Sequence, residues 1–250
     1  MATIARPKAR WNRDRLFYTC MGGSLALAAF WGFAPSFYLS RWLVAPTNTP
    51  PWTGLLYLHG AVFSLWLLLM AAQPLLIATR NIRLHRTIGV AGALVAAAMV
   101  VLGNLAGIAA MRGGGFIGLG DPYAFYAVPF FSINSFAVAI AFAILWRNRP
   151  EAHKRLILLS NVGLIGAAIA RIDVAPIQSG APFTFIFLPD LIILAGMLFD
   201  WRTRGRVHPV WLWGGLAMLA SQLAMMAVMG TAPWHAFAET MAGLWAPPPR

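Results

Sequence analysis

The sequence is poor in cysteine and in charge, and these shortages exclude several classes of protein. One cysteine, Cys20, occurs in 250 residues, so neither an intrachain disulfide nor a cysteine-based metal site can form. Charged residues make up 10% of the chain, whereas soluble domains carry about 25%. The sequence contains no phosphate-binding loop, nucleophile elbow, HExxH motif or glycine-rich dinucleotide motif. It therefore gives no sign of an enzyme that acts on its own, although a redox role stays open.

Hydrophobic residues dominate instead, at 60% of the chain. Apolar runs of about 20 residues recur along its length, which is the length that an α-helix needs to cross a bilayer. A helix in lipid satisfies its own backbone hydrogen bonds, so the sequence predicts an all-α polytopic membrane helix bundle. The seven predicted spans are residues 16–37, 53–78, 87–111, 125–146, 156–172, 183–199 and 210–229.

The net charge of +12 comes from basic residues that lie between the apolar runs. Fifteen of the nineteen Lys and Arg lie before Leu16 or in the turns 80–86, 147–155 and 202–206. This distribution argues against nucleic acid as a partner, and it predicts that the N-terminus and the three turns are cytoplasmic in a bacterial inner membrane. Anionic lipid headgroups are expected to bind the same turns. The predicted parts are a basic cytoplasmic arm (1–15), a transmembrane domain (16–229) and a periplasmic interfacial tail (230–250).

Each basic turn closes a hairpin of two spans and ends in a histidine, namely His85, His153 or His208. The three histidines open spans that run in the same direction, so they should lie at a similar depth. Imidazole is a common ligand of haem iron. Neighbouring arginines would suit haem propionates, and these are Arg80, Arg83, Arg86 and Arg155. Alternatively, each histidine lies at the membrane surface, where it binds headgroups or caps a helix.

One pattern resembles the core of the diheme transmembrane cytochromes b. It consists of His59, Met70, Arg80, Leu84-His85, Gly89 and Gly92. That family takes one histidine from each of four consecutive helices and pairs them around two haems. The resemblance implies that His85 and His153 are an inner pair of axial ligands and that His59 belongs to an outer pair, with His208 as a spare.

The fourth span departs from that pattern because it contains no histidine. Its outer half offers only Tyr123, Tyr126 and Asn134, and His235 lies outside the spans, so a second haem is not expected. The resemblance covers about 110 residues. The segments LHR, HKRL and RGRVHP are also similar to those of a family of bacterial seven-span inner-membrane proteins, a resemblance that assigns no activity.

Polar residues inside the predicted spans form a second group of candidates. Asp190 follows Pro189 in the sixth span, and a carboxylate within the membrane is a functional candidate by default. Arg171 is predicted to be its partner, because the depths of the two residues differ by about 7 Å and arginine can snorkel. The pair would either tie the fifth and sixth spans together or belong to a proton or substrate path. Other members of that path would be His59, Gln73 and Asn134.

Three functions remain open from the sequence. The first is a haem-binding membrane electron carrier that uses the cytoplasmic-side histidines. The second is a cofactor-free accessory or assembly subunit of a larger membrane complex. The third is a proton or small-molecule transporter that uses Asp190.

Overall fold

The structure is a computed structural model that describes residues 13–44, 53–114 and 120–244. These ranges contain helices and no strand, so the predicted all-α class is confirmed. The helices are α1 (Arg13–Phe33, continued by a π-helical turn Ala34–Tyr38), α2 (Gly54–Ala78), α3 (Ile82–Arg112), α4 (Pro122–Leu145), α5 (Pro150–Ser160), α6 (Val162–Ile169), α7 (Ala175–Ser179), α8 (Phe183–Phe187), α9 (Leu191–Arg204), α10 (Pro209–Val228) and α11 (Ala232–Leu244). The first twelve residues of the basic arm, the loops 45–52 and 115–119, and the last six residues of the tail lie outside the described residues.

Seven helical segments of the described chain are long and apolar enough to cross a membrane, as the sequence predicts. They are Arg13–Tyr38, Gly54–Ala78, Ile82–Arg112, Pro122–Leu145, Pro150–Ile169, Phe183–Arg204 and Pro209–Val228. The protein is therefore a multi-pass integral membrane protein. The predicted pairing within each hairpin also holds, because α2 packs on α3, α4 on α5, and α9 on α10.

Several helices begin earlier than predicted because polar caps and prolines define their first turns. The side chain of Asn81 accepts a hydrogen bond from the Leu84 N–H (3.3 Å), so α3 begins at Ile82 rather than at residue 87. Pro150 occupies the first turn of α5, where its missing N–H costs nothing, so this helix begins six residues before the predicted start. His85 and His153 consequently lie within the first turns of α3 and α5.

The fifth and sixth spans are interrupted, which the sequence analysis does not predict. The fifth divides at Asn161, whose side-chain amide donates to the Ile157 carbonyl oxygen (2.7 Å) and also accepts from the Trp66 indole N–H (2.9 Å). The sixth divides at a 3₁₀ turn that spans Leu188–Asp190 and contains Pro189. The second part of the fifth span, α6, packs against both α8 and the 3₁₀ turn.

The described part of the tail is anchored to one end of the bundle by α11. Trp234 is buried against α4, and its indole N–H donates to the Tyr123 carbonyl oxygen at 2.8 Å. His235 Nε2 lies 3.0 Å from the carboxylate of Asp121, which itself caps α4. These contacts place the tail on the side of the bundle opposite to the basic turns.

Candidate functional site

The structure brings together two of the three histidines from the basic turns. His85 and His153 lie on the first turns of α3 and α5, which are separated in the chain by α4, and are close enough to interact electrostatically. Both rings are partly buried. We refer to His85 and His153 as the histidine pair.

Each ring of the histidine pair is oriented by a group from the preceding helix of its own hairpin. His153 Nδ1 lies 2.8 Å from the carbonyl oxygen of Ala143 on α4. A carbonyl can only accept, so Nδ1 carries the proton and Nε2 is left as a free electron-pair donor. This is the arrangement in which histidine commonly binds a metal, with its other ring nitrogen held by a hydrogen bond.

His85 is held by Gln73 on α2. The side-chain amide of Gln73 lies 2.5 Å from His85 Nδ1. With the amide nitrogen towards the ring, Gln73 donates to Nδ1, and its oxygen accepts from the Gly89 N–H at 3.1 Å. With the amide turned over, its oxygen would accept a hydrogen bond from a protonated Nδ1 instead. The orientation of one amide therefore selects the tautomer of His85.

The histidine pair offers two imidazoles, which is fewer ligands than a bare metal ion usually takes from a protein. The described residues contain no group of three or more His, Cys, Asp or Glu that could hold a metal ion. A haem needs fewer protein ligands because the porphyrin supplies the equatorial ones, so two axial imidazoles suffice. Arg83 and Arg86 are exposed near His85 and can reach propionates.

Gly89, Gly92 and Arg155, which the sequence analysis names near a possible haem, all have protein neighbours. A Cβ placed on Gly92 would lie 3.6 Å from Leu69, and one placed on Gly89 would lie 3.9 Å from the Gln73 amide. Helix α2 therefore packs on the face of α3 that these glycines leave open. Arg155 is also not available to a propionate, because it is fully buried in ion pairs with Asp200 and Glu151.

His208 has a different role from the histidine pair. Its Nδ1 accepts the Val210 N–H at 3.2 Å, so it is the N-cap of α10, as the helix-capping alternative predicts. Its backbone N–H donates to Asp200 at 3.3 Å. Burial lowers the pKa of His208 and Arg155 lowers it further, while the carboxylates of Asp200 and Glu151 oppose this shift.

This cap should make stability depend on pH. Because the folded-state pKa of His208 lies below its ordinary value of about 6.5, the unfolded chain binds the proton first. We therefore expect the thermal unfolding midpoint to be highest above that value and to fall as the pH is lowered through it. In His208→Asn the cap acceptor is kept and the titrating group is removed, so this part of the pH dependence should disappear. Identical pH profiles for the two proteins would contradict this role.

The residues that the sequence analysis misses form an ion-pair network beside the histidine pair. Arg155 forms a bidentate ion pair with Asp200, in which Nε donates to Oδ2 at 2.8 Å and Nη2 donates to Oδ1. Neither of these side chains is exposed. Three carboxylates balance three cations in the network: Asp14, Glu151 and Asp200 against Lys154, Arg155 and Arg204.

The network joins α1, α5 and α9 at the basic end of the bundle. Asp14 on α1 lies 2.7 Å from Lys154 of α5 and 2.5 Å from Arg204 of α9. The ring of Tyr18 lies beneath the same cations, 4.8 Å from Lys154 Nζ. One feature of the sequence could have indicated this network: three of the chain's seven acidic residues lie within or beside basic clusters.

The intramembrane residues assigned to one path have separate partners instead. Asn134 donates to Asn104 at 3.3 Å and to a carbonyl of its own helix at 2.8 Å. His59 stacks on Phe63 with ring centroids 4.0 Å apart. Asn134 and Gln73 thus make local contacts with the neighbouring α3, whereas His59 stacks on a residue of its own helix.

Asp190 also has a partner other than the predicted one. Its Oδ1 accepts from Gln222 Nε2 at 3.0 Å. The guanidinium of Arg171 lies 4.5 Å from the centre of the Phe33 ring, and its Nη1 donates to the Ala167 carbonyl oxygen at 2.6 Å. The fifth and sixth spans are therefore joined by Arg155 and Asp200 rather than by Arg171 and Asp190.

No family model matches the chain. Comparison with curated proteins and with solved structures likewise gives no match. The function must therefore be inferred from the geometry of the chain itself.

Proposed function

We propose that the protein is a membrane electron carrier that binds one b-type haem between His85 and His153. The observation that carries this proposal is the orientation of the pair. The two imidazoles come from different hairpins and each is held by a group of the preceding helix, and the contact of His153 Nδ1 with the Ala143 carbonyl leaves Nε2 without a hydrogen-bond partner among the described residues and available to bind iron in the neutral ring. A haem held there would supply one-electron redox chemistry.

The chain's own residues would position this group and tune it. The hydrogen bond from His153 Nδ1 to the Ala143 carbonyl would fix the ring orientation and leave Nε2 free to bind the iron. The Gln73 amide would turn over when His85 becomes a ligand, because His85 must then carry its proton on Nδ1. Arg83 and Arg86 would bind the propionates near the aqueous surface.

The membrane, the orientation and the lipid partners belong to the same proposal. The concentration of Lys and Arg in three turns and the N-terminal arm supports a cytoplasmic location for that end of a bacterial inner-membrane protein. The haem would then lie near the cytoplasmic surface, and anionic lipids would bind the exposed arginines of the turns.

An absorption spectrum of the protein purified from haem-replete cells tests the proposal. We expect a Soret band that is reduced at least about 10-fold in His153→Ala and in His85→Ala, because each change would remove a residue that holds the haem, and even the loss of a group behind a ligand costs about this much. His208→Ala and His235→Ala serve as matched controls and should keep the band, since His208 caps α10 and His235 lies at the opposite end.

A colourless wild-type protein would overturn the haem assignment. If such a preparation also retained a stable partner protein, the accessory-subunit function would replace it. A band that survives in both pair variants would place any haem elsewhere in the chain.

A further inference from the structure

Asp190 and Gln222 face each other within the membrane, far from the histidine pair. Asp190 lies seven residues after the start of its span and Gln222 lies six residues before the end of its own. At 1.5 Å per residue, both are about 10 Å below the outer ends of their helices. The two side chains thus meet at the same depth, in the outer half of the bundle.

One polar atom of the buried Gln222 side chain, Oε1, has no hydrogen-bond partner among the described residues. Its Nε2 donates to Asp190 Oδ1 and to the Ile186 carbonyl oxygen, both at 3.0 Å, so both of its N–H groups are used. Its Oε1 is buried, and no donor among the described residues reaches it. Leaving a buried acceptor without a donor costs about 1–3 kcal/mol. A carboxylic acid at position 190 would carry an O–H donor next to this amide, whose N–H already donates to Asp190 Oδ1.

The surroundings of Asp190 also disfavour a carboxylate. The sequences of α6, α8 and α10 contain no ionisable side chain, and the charges of α9 lie at its other end. No Lys, Arg or His nitrogen of the described chain pairs with Asp190 as an ion pair. The neighbouring Leu188 and Leu191 are exposed on the lipid-facing surface at 38% and 56%. An unpaired charge at this depth would be costly.

Asp190 lies at the N-terminus of α9, but this position does not stabilise a carboxylate in place of a cation. It precedes the first residue of α9, where a carboxylate often caps the free N–H groups, but its side chain makes no capping bond. The carboxyl group is directed to Gln222 on α10 instead.

We propose that Asp190 is a proton-binding site within the membrane, in which its carboxylic acid pairs with the Gln222 amide through two reciprocal hydrogen bonds. The proton comes from the outer aqueous phase and forms the O–H bond at Oδ2, which then donates to Gln222 Oε1. No electron is transferred in this step. The site is separate from the histidine pair and does not require a haem.

Infrared spectroscopy of the protein in lipid bilayers at neutral pH tests the protonation state. We expect a carboxylic acid C=O band that is absent in Asp190→Asn and is kept in Asp173→Asn, an exposed aspartate in the outer loop. In Gln222→Leu the band should move to higher frequency, because its hydrogen bonds to the amide are lost. Absence of the band in the wild-type protein, or its survival in Asp190→Asn, would overturn the proposal.

Thermal unfolding of the same variants provides a second and independent readout. Asparagine reproduces the donor and acceptor of the acid, so Asp190→Asn should unfold within about 2 °C of the wild-type protein. Asp190→Leu removes both of the hydrogen bonds proposed between position 190 and Gln222 and should unfold several degrees lower. Equal losses in both variants would mean that an ionised carboxylate is required, which contradicts a bound proton. Neither readout depends on haem, so this proposal and the proposed function can fail separately.

Discussion

Replacing Asp200 with asparagine is expected to lower the free energy of unfolding by about 3–5 kcal/mol. Asp200 is fully buried and receives N–H donors from Arg155, Arg204 and the His208 backbone. Asparagine has nearly the same shape but carries no charge, and its amide nitrogen would face these donors. The buried Arg155 would then lack its principal counter-charge, and this desolvation cost cannot be recovered by local movement. Unfolding of the protein in mixed detergent micelles measures the loss.

Two companion variants separate this effect from a general sensitivity to charge. Asp173→Asn makes the same chemical change at an exposed site and should alter stability by less than about 0.5 kcal/mol. In the double variant Arg155→Met with Asp200→Leu, no unpaired charge remains, so much of the loss should be recovered. If Asp200→Asn were as stable as Asp173→Asn, the buried pair would not stabilise the fold.

The arrangement of the network explains why a membrane protein keeps so many charges in one place. Packing between helices in lipid lacks the hydrophobic driving force available in water, so polar contacts carry more of the specificity. Asp14 of α1 forms ion pairs with Lys154 of α5 and Arg204 of α9. Arg155 of α5 forms an ion pair with Asp200 of α9. The three helices are consequently fixed relative to one another at the end of the bundle where the histidine pair lies.

The spans could be predicted from the sequence because hydropathy over about 20 residues is a local property. The ion-pair network could not be predicted in this way. Arg155 and Asp200 are 45 residues apart. Arg155 ends one basic cluster and Asp200 lies just before another, and the sequence explains both clusters adequately as lipid-facing surfaces. The clusters of charged residues indicate where the turns lie, but only the packing of α5 on α9 shows that the Arg155 side chain points into the bundle.

The predicted partner of Asp190, Arg171, was wrong for a related reason. Depth along a helix can be counted from the sequence, and by that measure Arg171 and Asp190 are compatible. The direction of a side chain cannot be counted in the same way where the helix is not regular. In the structure α6 ends at Ile169, before Arg171, and Asp190 lies in the 3₁₀ turn, so Asp190 is directed to Gln222 while Arg171 packs on Phe33.

The close approach of α1 and α6 gives the last prediction, because it depends on a glycine. Gly32 is buried where α1 crosses α6, and a Cβ there would lie 2.3 Å from the carbonyl oxygen of Ala168 and 2.7 Å from its carbon. These are backbone atoms, so no side chain can rotate to make room. We expect Gly32→Ala to force the helices apart and to lower the free energy of unfolding by about 1–3 kcal/mol.

Gly23 on the same helix is the matched control. A Cβ at Gly23 would meet no atom within 4 Å, so Gly23→Ala adds helix propensity without a clash. It should therefore stabilise the protein by up to about 1 kcal/mol, which is opposite in sign to the effect at Gly32. Unfolding of both variants under the same conditions measures the difference. Equal effects would show that α1 and α6 are not in backbone contact, and the position of α1 against the fifth span would have to be revised.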